Sequence, residues 1–156
     1  MIYAKCIRGT QIAKDKNEFE EMKMYSKNTV YCEGEETVLD EYLLDCVPLN
    51  CIFQCLKYGD YIAIIESEDL DYEKDYREGA TVVSDKITSK KQKVVKILDP
   101  RKIEVIDFIL NEVGDIKKIL PGHASEDNLG IDTYNYLLKK LGRNDDFMVN
   151  RMEMIE

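Results

Sequence analysis

The N-terminal two-thirds of the chain consist of short apolar runs separated by polar residues, a pattern typical of β-strands. Residues 2–7 alternate between two faces and predict a first strand, and residues 29–33 predict a second, shorter one. The run YIAIIE at residues 61–66 is apolar on both faces, which predicts a strand in the centre of a sheet. Residues 51–58 precede this run across a break at Gly59, and we interpret the two runs as strands joined by a tight turn or a bulge.

Further strands are predicted towards the middle of the chain. Residues 80–87 and 91–98 predict an antiparallel hairpin, which the polar turn at residues 88–91 would close. The acidic residues 66–79 before this hairpin predict a loop. Residues 38–45 fit a short helix capped by Thr37, and a strand is the competing interpretation for them. Most of the predicted strands therefore lie in the N-terminal two-thirds of the sequence.

Helical signals are concentrated towards the C-terminus. Asp99 and Pro100 fit the N-cap and first position of a helix whose apolar residues recur at helical spacing up to Val113. Residues 131–142 predict a second helix, which ends at a glycine. One earlier helix is predicted after the first strand, because Asn17 is followed three residues later by a glutamate that can complete a capping pair.

This order of elements predicts an α+β fold. We expect a mainly antiparallel sheet or partial barrel in the N-terminal two-thirds, with two C-terminal helices packed on it. The chain has 156 residues without an internal repeat or a linker, so residues 1–156 are interpreted as a single domain. Within it, residues 1–98 are β-rich, residues 99–142 are helical, and residues 143–156 form a short tail.

The hydrophobic pattern also bears on the compartment. No apolar run approaches the roughly 20 residues that span a bilayer. The opening MIYAKCIRGT lacks the basic region and apolar block of a signal peptide. We therefore expect a cytoplasmic protein without a membrane partner, whose cysteines stay reduced.

Three of the five cysteines fall within CVPLNCIFQC at residues 46–55. Their spacing does not give the two close pairs of a structural zinc site, and on a strand Cys51 and Cys55 would lie about 13 Å apart. We interpret them as small apolar side chains at the entry to a buried strand. The acidic loop does not fit a calcium loop, because Lys74 and Ala80 replace the required glycine and glutamate. The sequence therefore predicts neither a metal nor another cofactor.

One alternative function depends on the single histidine. His123 lies in a polar loop, and a small hydrolase or nucleic-acid-modifying enzyme would need it beside a cysteine or an acid. No catalytic motif surrounds His123, so we predict no catalytic residue and favour a non-enzymatic protein.

A second alternative is nucleic-acid binding through the basic segment at residues 86–102, which carries seven Lys/Arg against one acid. Lys90, Lys91, Lys93 and Lys96 would contact phosphates. We favour a solvated edge hairpin instead, because lysines on an edge strand discourage aggregation. The sequence pI of about 4.8 also disfavours direct nucleic-acid binding.

Charge is the most unusual feature of the chain. Its formal net charge is −9, and residues 31–78 alone carry fourteen acidic against three basic residues, together with six tyrosines. Acids interleaved with tyrosines are suited to a negative surface that meets a basic protein. The predicted partner-binding residues are Asp60, Glu66, Glu68, Asp69, Asp71, Tyr72, Glu73, Asp75 and Tyr76.

The leading hypothesis is a non-enzymatic protein-interaction module that presents this surface to a basic partner. Regularly spaced carboxylates can take the place of phosphates in a groove built for nucleic acid. By analogy, small acidic proteins without a catalytic motif are common among phage and mobile-element inhibitors. The specific form of the hypothesis is a phage-encoded inhibitor of a host nucleic-acid-binding or defence protein, acting in the host cytoplasm.

Overall fold

The computed structural model describes residues 2–39, 43–75, 84–114 and 124–142. These residues form seven strands: β1 (Tyr3–Ile7), β2 (Glu36–Val38), β3 (Leu44–Pro48), β4 (Tyr61–Glu66), β5 (Asp71–Asp75), β6 (Ser84–Ser89) and β7 (Lys91–Leu98). They also form helices α1 (Lys16–Tyr25), α2 (Ile103–Val113), α3 (Glu126–Leu129) and α4 (Ile131–Lys140), and short 3₁₀ helices at Gly9–Gln11, Leu49–Gln54 and Leu56–Tyr58.

The seven strands form one open antiparallel sheet in the order β2-β7-β4-β1-β3-β6-β5. Every described pair within it is antiparallel. The predicted α+β fold, with helices following the sheet, is therefore confirmed. The prediction of a central strand at YIAIIE is also confirmed, because β4 lies between β1 and β7.

The predicted hairpin between residues 80 and 98 is wrong. Only Lys90 separates β6 from β7, but β6 pairs with β3 and β5, whereas β7 pairs with β4 and β2. Three strands lie between them in the sheet, a separation of about 19 Å if the sheet were flat. The sheet must therefore curl, so that one continuous segment of chain passes from one side of the curl to the other.

Both faces of the central strand β4 are buried. In β4, Ile62 and Ile64 face the helices, whereas Ala63 and Ile65 face the inside of the curl, as expected for alternating strand residues. The outer core includes apolar side chains of α2, α4 and the 3₁₀ helix at 49–54. The inner core contains Ile7, Tyr31, Cys46, Ala63, Ile65, Ile87 and Val94.

The prediction of a strand at residues 51–58 is wrong, since two 3₁₀ helices occupy this segment. Leu49 and Ile52 are three residues apart, as are Phe53 and Leu56, and all four are buried. In a 3₁₀ helix, residues three apart lie above one another on the same face. The segment therefore covers the outer core as a helical turn, although its β-branched and aromatic composition suggested a strand.

Several other boundaries differ from the predictions. Residues 71–75 form the edge strand β5 within the segment predicted to be a loop. At residues 29–33, the structure has an isolated bridge between Tyr31 and Ile12 instead of a strand. The strand interpretation of residues 38–45 holds at both ends, because β2 ends at Val38 and β3 begins at Leu44, while residues 40–42 lie outside the described residues.

Two helix starts also differ from the predictions. The cap of α1 is Asp15, whose side chain accepts a 2.8 Å hydrogen bond from the Glu18 amide. The helix α2 begins at Ile103, later than the predicted start, because the Asp99 carboxylate instead binds the backbone amide and guanidinium of Arg101. Its end at Gly114 agrees with the helical spacing in the sequence.

We predict that Gly59→Ala destabilises the fold by about 1–3 kcal/mol, because an added methyl group overpacks a fixed backbone. A Cβ at Gly59 would overlap the carbonyl group of Ile7 and lie 2.6 Å from the Ile7 nitrogen. Denaturant unfolding measures the loss. Gly9→Ala is the matched control, since its nearest neighbour is the Tyr61 ring at 3.2 Å, a side chain that can move. Equal stability losses in the two variants would contradict this explanation.

Candidate functional site

Four of the predicted binding residues lie together at one corner of the sheet. Glu66 ends β4, Glu68 and Asp69 lie in the following turn, and Asp71 begins β5. All four are exposed. We call this group the acidic corner.

Asp60 lies apart from the acidic corner. It immediately precedes β4. Glu66 lies six positions further along this extended chain, at a distance of about 20 Å. Its carboxylate accepts a 2.9 Å hydrogen bond from the Gly9 amide. In the structure, Asp60 therefore ties the end of β1 to the start of β4.

The strand β5 carries four of the predicted residues. Asp71, Glu73 and Asp75 occupy alternate positions along it, and Tyr72 lies between the first two. The Tyr72 ring meets the Tyr3 ring edge to face, with centroids 6.2 Å apart. Tyr72 is 54% exposed, so part of its side chain is accessible to a further contact. The remaining predicted residue, Tyr76, lies outside the described residues.

Asp69 has a structural role at this corner. The Ser67 hydroxyl donates a 2.7 Å hydrogen bond to its carboxylate, and the Lys90 amide donates another at 3.0 Å. These hydrogen bonds lower the pKa of Asp69, the Ser67 hydroxyl having the larger effect. These hydrogen bonds hold the turn after β4 against Lys90, the residue that connects β6 to β7.

The fold places basic residues beside the acidic ones, which the linear charge count did not reveal. In the strand register, Glu66 lies opposite Lys93, and Glu73 lies opposite Lys86. Farther along the same region, Lys91 forms a 3.3 Å ion pair with Glu36. On β5, only the first and last acids, Asp71 and Asp75, have uncharged register partners, which are Thr88 and Ser84.

Sequence reasoning missed a buried lysine inside the curl. Lys5 is only 7% exposed, although it carries an ammonium group. Its Nζ lies 3.4 Å from Gln92 Oε1, 3.4 Å from Asp45 Oδ1, and 5.0 Å from the centre of the Tyr31 ring. The signal was present in the sequence, since Lys5 alternates in phase with Tyr3 and Ile7.

Lys5 lies where two strands separate. The described pairing of β1 with β3 covers only two residue pairs, the second being Ala4 with Val47. Beyond this point Gln92, fully buried on β7, donates a 3.1 Å hydrogen bond from its Nε2 to the Asp45 carbonyl oxygen. Side chains therefore link β1, β3 and β7 where the backbone ladder between β1 and β3 ends.

An open depression of about 380 Å³ lies beside this lysine. It combines one cation with hydroxyl groups and apolar side chains, which is the usual composition of a site for a small molecule. We call it the Lys5 depression. Its lining residues are Lys5, Thr29, Tyr31, Leu39, Leu43, Leu44, Asp45 and Thr88.

A second depression, of about 220 Å³, lies at the start of β4. Its charged lining has both signs: Arg8, Lys57, Arg101, Asp60 and Asp127. Arg101 Nε donates a 2.9 Å hydrogen bond to Asp99 Oδ1, and the guanidinium lies 5.9 Å from the Tyr61 ring centre. Partial burial acts to raise the pKa of Asp99, but the contacts with Arg101 outweigh it and lower the pKa. Because its charges are mixed, this depression favours neither cations nor anions.

None of the five cysteines forms a disulfide bond in the structure. Burial raises the pKa of Cys46 and of Cys55 to about 11, and it also raises the pKa of Cys6 and Cys32. Cys51 lies in the 3₁₀ helix at Leu49–Gln54 and Cys55 caps the end of that helix, so the strand spacing of about 13 Å does not apply to them. Within the described ranges, no group of three or more His, Cys, Asp or Glu residues is placed to hold a metal ion.

The two alternative functions stay predictions. His123 lies outside the described residues, so the arrangement that an enzyme would need around it is not tested. The basic segment contains most of β6 and all of β7, but neither is an edge strand, which corrects the edge-hairpin interpretation. Nucleic-acid binding through its lysines is not tested by this arrangement.

Comparison with protein-family models, with curated proteins and with solved structures gave no match to this chain. In the part of the chain that the structure describes, no helix has both the length and the apolar character needed to cross a bilayer. Functional inference therefore depends on the geometry of the chain itself.

We predict that Cys46 and Cys55 resist alkylation by iodoacetamide at pH 8 in the folded protein. With a pKa of about 11, roughly one thiol in a thousand is the reactive thiolate at that pH. The alkylation rate should rise about tenfold per pH unit until the pH nears the pKa. Mass spectrometry of digested samples measures labelling at each cysteine, and guanidinium-unfolded protein is the control. Rapid labelling of either thiol in the folded state would contradict the prediction.

Proposed function

We propose that this protein is a non-enzymatic interaction module that binds a basic, extended segment of a partner protein along β5. The observation that supports the proposal is the position of β5 at the edge of the sheet, next to the acidic corner. No strand that the structure describes pairs with its outer side, whereas its inner side pairs with β6 over five residues. An extended partner segment can therefore add to the sheet there.

The spacing of acids along β5 suits such a segment. Asp71, Glu73 and Asp75 repeat every second residue, or about every 6.6 Å. Lysines or arginines at alternate positions of an added strand would lie opposite them, and each cross-strand pair of opposite charge contributes about 0.2–1 kcal/mol. Tyr72 offers aromatic contact area to the apolar residues between those basic ones.

A charged edge strand also has a protective role, because charges discourage edge-to-edge aggregation. The two roles differ in what they predict. A protective edge rejects every added strand, whereas a binding edge accepts a strand whose charges are opposite to its own. A basic strand peptide therefore distinguishes them.

The specific form of the proposal is an inhibitor of a basic, nucleic-acid-binding host protein, encoded by a phage and acting in the host cytoplasm. Support comes from the regular spacing of the β5 acids, which can occupy cationic subsites in place of phosphates. Such binding depends on charge and weakens as salt is added.

A synthetic peptide of alternating lysine and valine tests the proposal by fluorescence anisotropy. The unmodified peptide should bind, and a peptide N-methylated at alternate residues should not, because methylation removes the donors that pair with β5. Asp71→Lys combined with Asp75→Lys should weaken binding about tenfold, since two attractive pairs become repulsive. The register partners of these positions are Thr88 and Ser84, so the variant creates no new lysine pair within the sheet.

The matched control reverses two exposed acids on α2, Glu104 and Glu112, and changes the net charge by the same amount. This control should bind the peptide like the unmodified protein. Equal binding of the N-methylated peptide would rule out strand addition. An equal loss in the α2 control would show that net charge alone attracts the peptide, which would also overturn the proposal.

A further inference from the structure

We propose that the Lys5 depression binds a small organic monoanion, with a carboxylate against the Lys5 ammonium and an apolar body against the neighbouring leucines. This inference is independent of strand addition at β5, because it depends on the interior of the curl. The ammonium, the size of the depression and the nearby charge each support it.

The Lys5 ammonium is incompletely satisfied by the described residues around it. An ammonium has three hydrogen-bond donors, and charge-assisted bonds are usually about 2.7–2.9 Å long. Its contacts with Gln92 and Asp45 are both 3.4 Å, and the Asp45 side chain is 83% exposed to competing water. A buried cation with such long contacts gains from an anion that approaches to normal hydrogen-bond distance.

The depression has room for such an anion. Its volume of about 380 Å³ lies within the range of small-molecule sites. Thr29 and Thr88 supply hydroxyl groups on its wall, whereas Leu39, Leu43 and Leu44 form an apolar part. Leu43 is 56% exposed, so a ligand that covers it removes apolar surface from water.

The charges around the depression select a single negative charge. Among the described residues of its lining, Lys5 is the only cation, and Asp45 lies in the same lining. A second negative charge on the ligand would meet the Asp45 carboxylate and the overall charge of −9. The geometry therefore favours a monocarboxylate over a nucleotide or another polyphosphate.

The contacts of Lys5 with Gln92 and Asp45 link the strands, and this link alone is a sufficient reason for a buried lysine. It does not involve the hydroxyl groups and leucines of the depression. A purely structural lysine predicts that substitution changes stability and that no anion binds. A binding lysine predicts that anion affinity changes with the charge at Lys5 and at Asp45, in opposite directions. These two variants separate the interpretations.

Hexanoate and its neutral isostere hexanamide are the probes, and amide NMR shifts of the full chain measure their binding. We expect hexanoate to bind with a dissociation constant on the order of 1 mM, with the largest shifts in β1, β3 and the start of β7. Hexanamide should bind at least tenfold more weakly, because it has no charge to meet the ammonium. Lys5→Met should abolish the preference for hexanoate.

Asp45→Asn is the second variant, and it keeps Lys5 in place. It removes an exposed competing carboxylate, so hexanoate should bind several-fold more tightly. Lys57→Met, in the other depression, is the control and should leave hexanoate affinity unchanged. If Lys5→Met does not fold, the direction in which Asp45→Asn changes hexanoate affinity decides between a binding and a purely structural role of Lys5.

Three outcomes would overturn the proposal. The first is an absence of saturable shifts with hexanoate, the second is equal binding of hexanoate and hexanamide, and the third is weaker hexanoate binding by Asp45→Asn. Persistence of the hexanoate preference in folded Lys5→Met would equally exclude the assigned role of Lys5.

Discussion

The curled sheet depends on a buried polar link that replaces backbone pairing. Where the ladder between β1 and β3 ends, Lys5 extends from β1 towards Asp45 on β3 and Gln92 on β7, and Gln92 in turn binds the Asp45 carbonyl. Hydrogen bonds inside a protein are electrostatically stronger than those in water, but unpaired polar groups there are costly. The three side chains therefore depend on one another, and the inner core forms around the strands that they connect.

Curling confines the surfaces on which this protein can act. Helices cover the central strands β1 and β4 on one face of the sheet, and the other face encloses the inner core. The outer face is exposed at β2 and β7, where Val38, Lys93 and Val95 lie. Among the described residues, the accessible surfaces also include the edge strand β5, the shorter edge strand β2 and the depressions where strands diverge or end. The proposed partner site lies at the edge strand β5, and the proposed ligand site lies in one of the depressions.

Local patterns predicted the strands whose residues alternate or are wholly apolar, including β1, β4 and β7. They failed at Leu49–Gln54, because its buried Leu49 and Ile52 are three residues apart on a helical turn while the composition of the segment resembles a strand. Local patterns also did not predict which strands pair. The polar residues around Lys90 resemble a hairpin turn, but long-range contacts pair β6 with β3 and β7 with β4. For the candidate site, exposure of the acids was predictable, but the neighbouring Lys93 was not. The inward position of Lys5 was visible in the alternation of β1.

The single residue between β6 and β7 has a consequence for how the chain folds. A strand slips only by whole residues, and a slip of one residue would move every side chain to the opposite face. Since β6 aligns with β3 while β7 aligns with β4, an error in either alignment displaces the other through Lys90. The two parts of the sheet are therefore expected to order together, in one late and cooperative step dominated by contacts distant in sequence.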